Sequence, residues 1–245
     1  FFEGGFEDAA VFLDGQKVNS LVDGELRVDP GFHDIEMFKA GFDVWKKQVF
    51  VDDDDVKRIR EVLLLKRDLE PVRSSNTKRF ENLDFKPSVS GAIAGFTVKQ
   101  LFTIEQSNGY TLYVFSPQQQ TDIRKIIVLD SDDNVVFIRN GAAALLDEDQ
   151  VLISTGRDLI TIDLQNGVDI SRVAVSDVIW MSRIGTTGRL ISLTARNELR
   201  VCDDDMENCR ELAVLEEPVV IPDDDHMSFA FRDKDSTSVL NFNYR

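Results

Sequence analysis

The 245-residue chain is poor in the residues that carry chemistry. It holds two histidines, two cysteines and two tryptophans. No Gly-x-Ser-x-Gly elbow, phosphate-cradling glycine loop or dinucleotide fingerprint occurs. With His33 and His226 as the only imidazoles, no nucleophile–base constellation can be read, and hydrolase or oxidoreductase chemistry is not expected. Paired carboxylates stay open, because 44 acidic residues make chance pairs inevitable. No apolar run reaches the roughly 18–20 residues a membrane-spanning helix needs. Zinc lacks ligands: Cys202 and Cys209 have no histidine pair beside them. Positive charge is also scarce, with 28 Lys and Arg against 44 Asp and Glu and a net charge of −16. Such a field repels nucleic acid and anionic lipid, which excludes both as primary partners. The first residue is Phe, so we expect a processed or excised segment, with a signal or membrane anchor ahead of it.

What is present reads as β structure. Hydrophobic residues make up 42%, enough for one large core or two small ones. The first segment, 1–67, alternates strand-like runs with turn signals: Asp14-Gly15, Asp23-Gly24, Pro30-Gly31 and Ala40-Gly41. In "FHDIEMFK", Ile35 and Met37 alternate with Asp34 and Glu36, the period of a half-buried strand. Val49 and Val51 share one face of the next run. "VKRIREVLLLK" is read as a further strand. Residues 68–90 have two prolines, clustered Ser and Asn, and few apolar groups, which reads as a linker.

"AAVFLDGQKV" followed by "LRVDPGFHDIEMFKAGFDVWKKQVFV" resembles a PEGA domain. Asp14, Gly15, Pro30, Gly31, His33, Ile35, Lys39, Gly41 and Phe42 stand at the matching positions. The sequence departs from that pattern in lacking a Thr-Pro between the two segments and in having Phe32 after Pro-Gly. The resemblance implies a small, non-catalytic β-sandwich of the bacterial or archaeal cell envelope, set beside other domains.

From 91 to 245 short strands follow one another with no helical pattern between them, which argues for an all-β domain. "VLISTGRDLITIDLQNG" and "RLISLTARNELRVCDDD" open at Val151 and Arg189, 38 residues apart. Each resembles a blade of a WD40-like or quinoprotein-like β-propeller, whose period is roughly 40–45 residues. The segment has room for about four blades, the minimum for a closed ring, so a small or incomplete propeller is expected.

Few groups stand out as candidate sites. Asp130, Asp132 and Asn134 place oxygens at alternate positions, as calcium loops do; the alternative is an Asx-rich hairpin turn. Cys202 and Cys209 are close enough in sequence to close a small loop by a disulfide, which suits an oxidising compartment; the alternative is two thiols flanking a turn. Runs of acid at Asp52–Asp55, Asp203–Glu207 and Asp223–Asp225 read as solvated loop tips. His33 reads as structural. His226 follows three aspartates that would raise its pKa. Trp180 is expected in the propeller core, and Trp45 at an interface between the two domains or in a binding surface.

These readings lead to a non-enzymatic protein of the cell surface. The PEGA-like module acts as spacer, and the propeller-like domain offers loops to a protein or glycan. No cofactor is expected beyond calcium, and membrane contact only through an anchor outside this chain. The competing readings are a propeller-fold hydrolase or lyase with a carboxylate site in the channel, and the ectodomain of a membrane sensor.

Overall fold

The computed structural model describes residues 8–18, 26–53, 56, 62–73, 92–94, 96–118, 124–175, 177–203, 206, 208–216, 219–222, 227–233 and 236–242. It is all-β, with no helix among the described residues.

The N-terminal unit is a four-stranded antiparallel sheet of β1 (Ala10–Leu13), β2 (Gln16–Lys17), β3 (Gly31–Phe38) and β4 (Trp45–Val51), in the order β2-β1-β3-β4. Asp14 and Gly15 close the first hairpin with positive φ at both positions, the conformation a two-residue primed turn demands. Alternation sends Val11, Ile35, Met37 and Trp45 to one face, where Val62 and Leu64 cover them; Val49 packs alongside. Gly41 turns the chain between β3 and β4 at a φ of 84°.

The run 56–66 is expected to pair as a strand; residues 57–61 lie outside the described residues, and 62–65 thread between two cores instead. Val62 and Leu64 enter the N-terminal core, while Leu63, Leu65 and Leu69 turn the other way into the core of the second unit. Both faces are thereby taken, and much of the backbone is satisfied by side chains. Arg189 Nε donates to the Leu63 carbonyl, and the Arg210 guanidinium donates to the carbonyls of Lys66, Arg67 and Leu69. Among the described residues of this segment, Phe42 to Lys66 is the one sheet-like bridge.

The second unit is a partial propeller of four consecutive antiparallel sheets. Blade 1 comprises β6 (Ala92–Ile93), β7 (Phe96–Ser107), β8 (Tyr110–Pro117), β9 (Lys125–Leu129) and β10 (Val135–Asn140). Blade 2 comprises β11 (Ala143–Asp147), β12 (Gln150–Ser154), β13 (Asp158–Asp163) and β14 (Asp169–Ala174). Blade 3 comprises β15 (Val178–Arg183), β16 (Arg189–Thr194), β17 (Glu198–Asp203) and β18 (Arg210–Val214). Blade 4 is β19 (Val219–Pro222), β20 (Ser228–Asp233) and β21 (Ser236–Asn241), completed by β5 (Val72–Arg73). Val151 and Arg189 thus fall on the second strands of successive blades. The strand β5 comes from the stretch read as linker: Arg73 and Val72 pair with Ser238 and Val239, so a segment ahead of the first blade supplies the outer strand of the last.

Hydrophobic cores lie between the blades. Leu112, Val114, Ile126 and Val128 of blade 1 meet Ala144, Leu146, Val151 and Ile153 of blade 2. Ala143, Leu145 and Leu152 meet Val178, Met181 and Leu190 of blade 3. Ile191, Leu193 and Val201 then meet Phe229, Phe231, Leu240 and Phe242 of blade 4. The inner strand β11 is buried on both faces, its even positions toward blade 1 and its odd positions toward blade 3. Full burial of each such side chain contributes about 1.5–3 kcal/mol.

Candidate functional site

Three places on this scaffold bring chemically distinct groups together. The first is the seam between the two units. Trp45, 4% exposed, donates from Nε1 to Asp203 Oδ1 at 3.2 Å. Asp203 also pairs with Arg189 Nη1 at 3.2 Å and accepts from Asn208 Nδ2 at 2.7 Å. Asn208 donates further to the Lys46 carbonyl, and Arg210 pairs with Asp43 at 2.8 Å. Burial pushes the Asp203 carboxyl up, against the pull of Arg189, Asn208 and Trp45. This cluster joins the two units through side chains whose polar groups are spent on one another. Asp203, expected in a solvated acidic run, is buried, because Arg189 and Trp45 from opposite units converge on it.

The second place is the inner strands of blades 1 to 3. At their N-terminal ends Arg124 donates to the carbonyls of Ala142 and Ile179, at 2.6 and 2.7 Å, and stacks on Phe102 at 3.9 Å. At their C-terminal ends Glu105 of β7 accepts the Leu146 N–H at 2.8 Å, and Arg183 of β15 pairs with Asp147 of β11 at 2.9 Å. Loss of water raises the Glu105 carboxyl to about 7, despite the Leu146 amide and the nearby Arg183 charge. A carboxyl that titrates near neutrality can hold or release a proton. Sequence reading gave no signal to separate Glu105 from the other acidic residues.

The third place is the outer edge. The last strands of blades 1 and 2 turn β-branched side chains to solvent: Val135, Val136 and Ile138 on β10, and Val168 and Ile170 at β14, each between 38% and 59% exposed. Arg139 of β10 reaches Asp169 of β14 at 3.4 Å, and Arg172 shares the same carboxylate at 3.5 Å, so ion pairs join the two edges. Edge strands ordinarily carry charge or proline to deter pairing. Exposed aliphatic side chains on such edges make them a candidate interaction surface. Nothing in the residues of β10 alone shows that its blade position leaves it uncovered.

The remaining residues singled out from sequence are dispersed. Asp130 accepts the backbone N–H groups of Asp132 and Asn134 at 2.9 Å, and the Asn134 side-chain amide as well. Its carboxylate is thus engaged within an Asx turn, which lowers its pKa. No group of three His, Cys, Asp or Glu suited to a metal occurs among the described residues. Cys202 and Cys209 are joined by a disulfide between β17 and the loop that follows it. Trp180 is partly buried and meets Phe229 edge-on across blades 3 and 4. His33 bonds Asp14 and the Asp29 carbonyl, at 2.8 and 2.7 Å. Asp52 and Asp53 are exposed, whereas Asp54, Asp55, Asp204, Asp205, Glu207, Asp223–Asp225 and His226 lie outside the described residues.

No family model and no curated protein matches this sequence. Among solved structures it is similar to the Dos1 propeller (TM-score 0.43, 8% identity, 58% of this chain and 41% of that one). It is also similar to the Cps50 (Swd1) β-propeller domain of Myceliophteria thermophila (TM-score 0.38, 8% identity, 56% and 53%). A third is BamB from Moraxella catarrhalis (TM-score 0.37, 14% identity, 58% and 44%). The chain thus spans between 41% and 53% of these three proteins. At this level of similarity they speak neither to activity nor to partner.

Proposed function

We propose that this chain is a non-catalytic protein-binding module of a cell envelope, in which the partial propeller presents the outer edge of blades 1 and 2 to a protein partner. The N-terminal sheet, clamped to blade 3 through Trp45 and Asp203, acts as a spacer. The observation that carries this reading is the exposure of aliphatic side chains, Val135, Val136, Ile138, Val168 and Ile170, on the edges of two blades. Aliphatic groups on strand edges favour a protein over a glycan. The Cys202–Cys209 bond supports an oxidising compartment. The PEGA-like residue pattern, from Asp14 to Phe42, supports the envelope.

A photo-crosslinking residue at Ile138 or Ile170 tests this in cells that make the protein. A discrete protein adduct from both positions, with none from the exposed position of Arg196 on blade 3, is the expected result. Equal labelling from all three positions would remove the reading.

A second reading, an enzyme acting at the inner strand ends, is favoured by Glu105, which titrates near 7 beside Asp147 and Arg183. Substrate turnover abolished by Glu105→Gln, with Ile138→Ser unaffected, would replace the binding reading with this one.

A further inference from the structure

The outward face of the N-terminal sheet takes no part in the seam. Register places Phe32 of β3 directly opposite Phe50 of β4 on this face, with ring centroids 4.9 Å apart. They are 69% and 48% exposed, although large apolar side chains ordinarily favour burial. The next rungs of the same face are Asp34 with Gln48, bonded at 2.9 Å, and Glu36 with Lys46, at 2.6 Å.

Among the described residues, the exposed charges beside the aromatic pair are acidic. It stands at the end of the sheet where Asp29 leads into β3 and Asp52 and Asp53 leave β4, all three exposed. Asp34 is the next residue of β3 on that face. The nearest cation in the ladder on the same face is Lys46, already paired with Glu36. An aromatic face attracts a cation through its quadrupole, and the surrounding carboxylates add a Coulombic pull of the same direction. The methylene stem of Arg or Lys matches the ring surface, while its head reaches the acids. An anionic lipid surface is repelled by these same groups, and a neutral sugar would leave the carboxylates unmatched.

We propose that this face docks a cationic extended segment of a partner protein, with Arg or Lys side chains laid over Phe32 and Phe50 and their charged heads among Asp29, Asp34, Asp52 and Asp53. The site is on a different unit from the β10–β14 edge, so either proposal stands without the other.

The test is fluorescence anisotropy with the full chain and a labelled peptide of alternating Arg and Gly, at physiological salt. A peptide of alternating Ser and Gly is the neutral control. Wild type is expected to bind the Arg peptide saturably and to ignore the Ser peptide. Phe32→Ser with Phe50→Ser keeps every carboxylate and is expected to weaken binding about tenfold. Asp52→Asn with Asp53→Asn weakens it several-fold, and Val214→Ser on the exposed edge of blade 3 leaves it unchanged. Phe32→Leu with Phe50→Leu keeps the apolar surface without the aromatic quadrupole, and gives the same discrimination should the serine pair disturb folding. Equal binding by wild type and both Phe double variants would assign the attraction to the general negative field and overturn the proposal. Failure of wild type to bind the Arg peptide saturably would overturn it as well.

Discussion

Trp45 and Asp203, 158 residues apart in sequence, meet in one buried hydrogen bond at the junction of the two units. The Asp203 carboxylate is the hub of that junction, with Trp45, Arg189 and Asn208 all donating to it or pairing with it. Removing the hub strands a buried guanidinium, which costs far more than the net value of the pair itself. Asp203→Ala is expected to lower stability by about 3–5 kcal/mol in urea denaturation. Trp45→Phe keeps most of the apolar contact and loses the hydrogen bond, for about 1–2 kcal/mol. Combining the two substitutions should cost less than the separate effects added, because they share a partner. An Asp203→Ala protein within about 0.5 kcal/mol of wild type would show that the seam does not hold the units together.

Glu105 sets a pH dependence of the opposite kind to an ordinary salt-bridged acid. Its carboxyl is raised in the fold to about 7, from 4.5, so the folded state binds the proton more tightly. The charged form therefore costs stability. That cost sets in as pH rises through the unfolded pKa and is complete above the folded one, at about 3 kcal/mol. Glu105→Gln cannot ionise, and its amide oxygen can still accept the Leu146 N–H. We expect the variant to unfold at a higher temperature than wild type at pH 8, and at nearly the same temperature at pH 4. A wild type more stable than the variant at pH 8 would mean that Arg183 outweighs the loss of water.

His33 works the other way. Both ring nitrogens face acceptors, the Asp14 carboxylate and the Asp29 carbonyl, and only the imidazolium donates to both. The hydrogen bond to Asp14 raises the His33 pKa above 6.5 and correspondingly lowers that of Asp14. The stabilisation is fully present below the unfolded pKa and is lost as pH rises through the raised one. An NMR titration of the ring proton should give a midpoint above 6.5, and Asp14→Asn should bring it down. A wild-type midpoint at or below 6.5 would show that the two bonds are not made in solution.

The architecture was legible where local chemistry decides it. Asp14-Gly15 carries positive φ at both positions and closes a two-residue hairpin, as such pairs do. Alternation in β3 identified the face holding Ile35 and Met37. The inner strand β11 escaped because that logic fails for it. "AALLD" of β11 is buried on both sides, so it has no alternation, and its alanines suit the close approach of blades more than any strand propensity. The two-residue strand β5 exists only because β21 lies beside it, a partner far along the chain. The exposed aliphatic side chains of β10 and β14, and the burial of Glu105 and Asp203, depend on which strand is outermost and what stacks against it. No short stretch of sequence carries that information.

Gly141 gives the sharpest test of blade packing. It follows the outer strand of blade 1 and opens blade 2, and its backbone N–H donates to the Arg124 carbonyl at 3.2 Å. A Cβ at this position would overlap Ile126 Cδ1 and lie 2.9 Å from Ile153 Cγ2 and 3.0 Å from the Ser154 carbonyl oxygen. That carbonyl accepts the Ala142 N–H at 2.7 Å and cannot retreat without losing the bond. Alanine would gain about 0.4–1 kcal/mol by restricting the unfolded chain. Overpacking at the seam costs typically 1–3 kcal/mol, so the clash should win. Gly141→Ala is expected to lower the melting temperature, and adding Ile126→Val, which removes the overlapping methyl, should restore part of the loss. If Gly141→Ala is as stable as wild type, or if Ile126→Val lowers stability further without any rescue, blades 1 and 2 do not approach as closely at this point as their core requires.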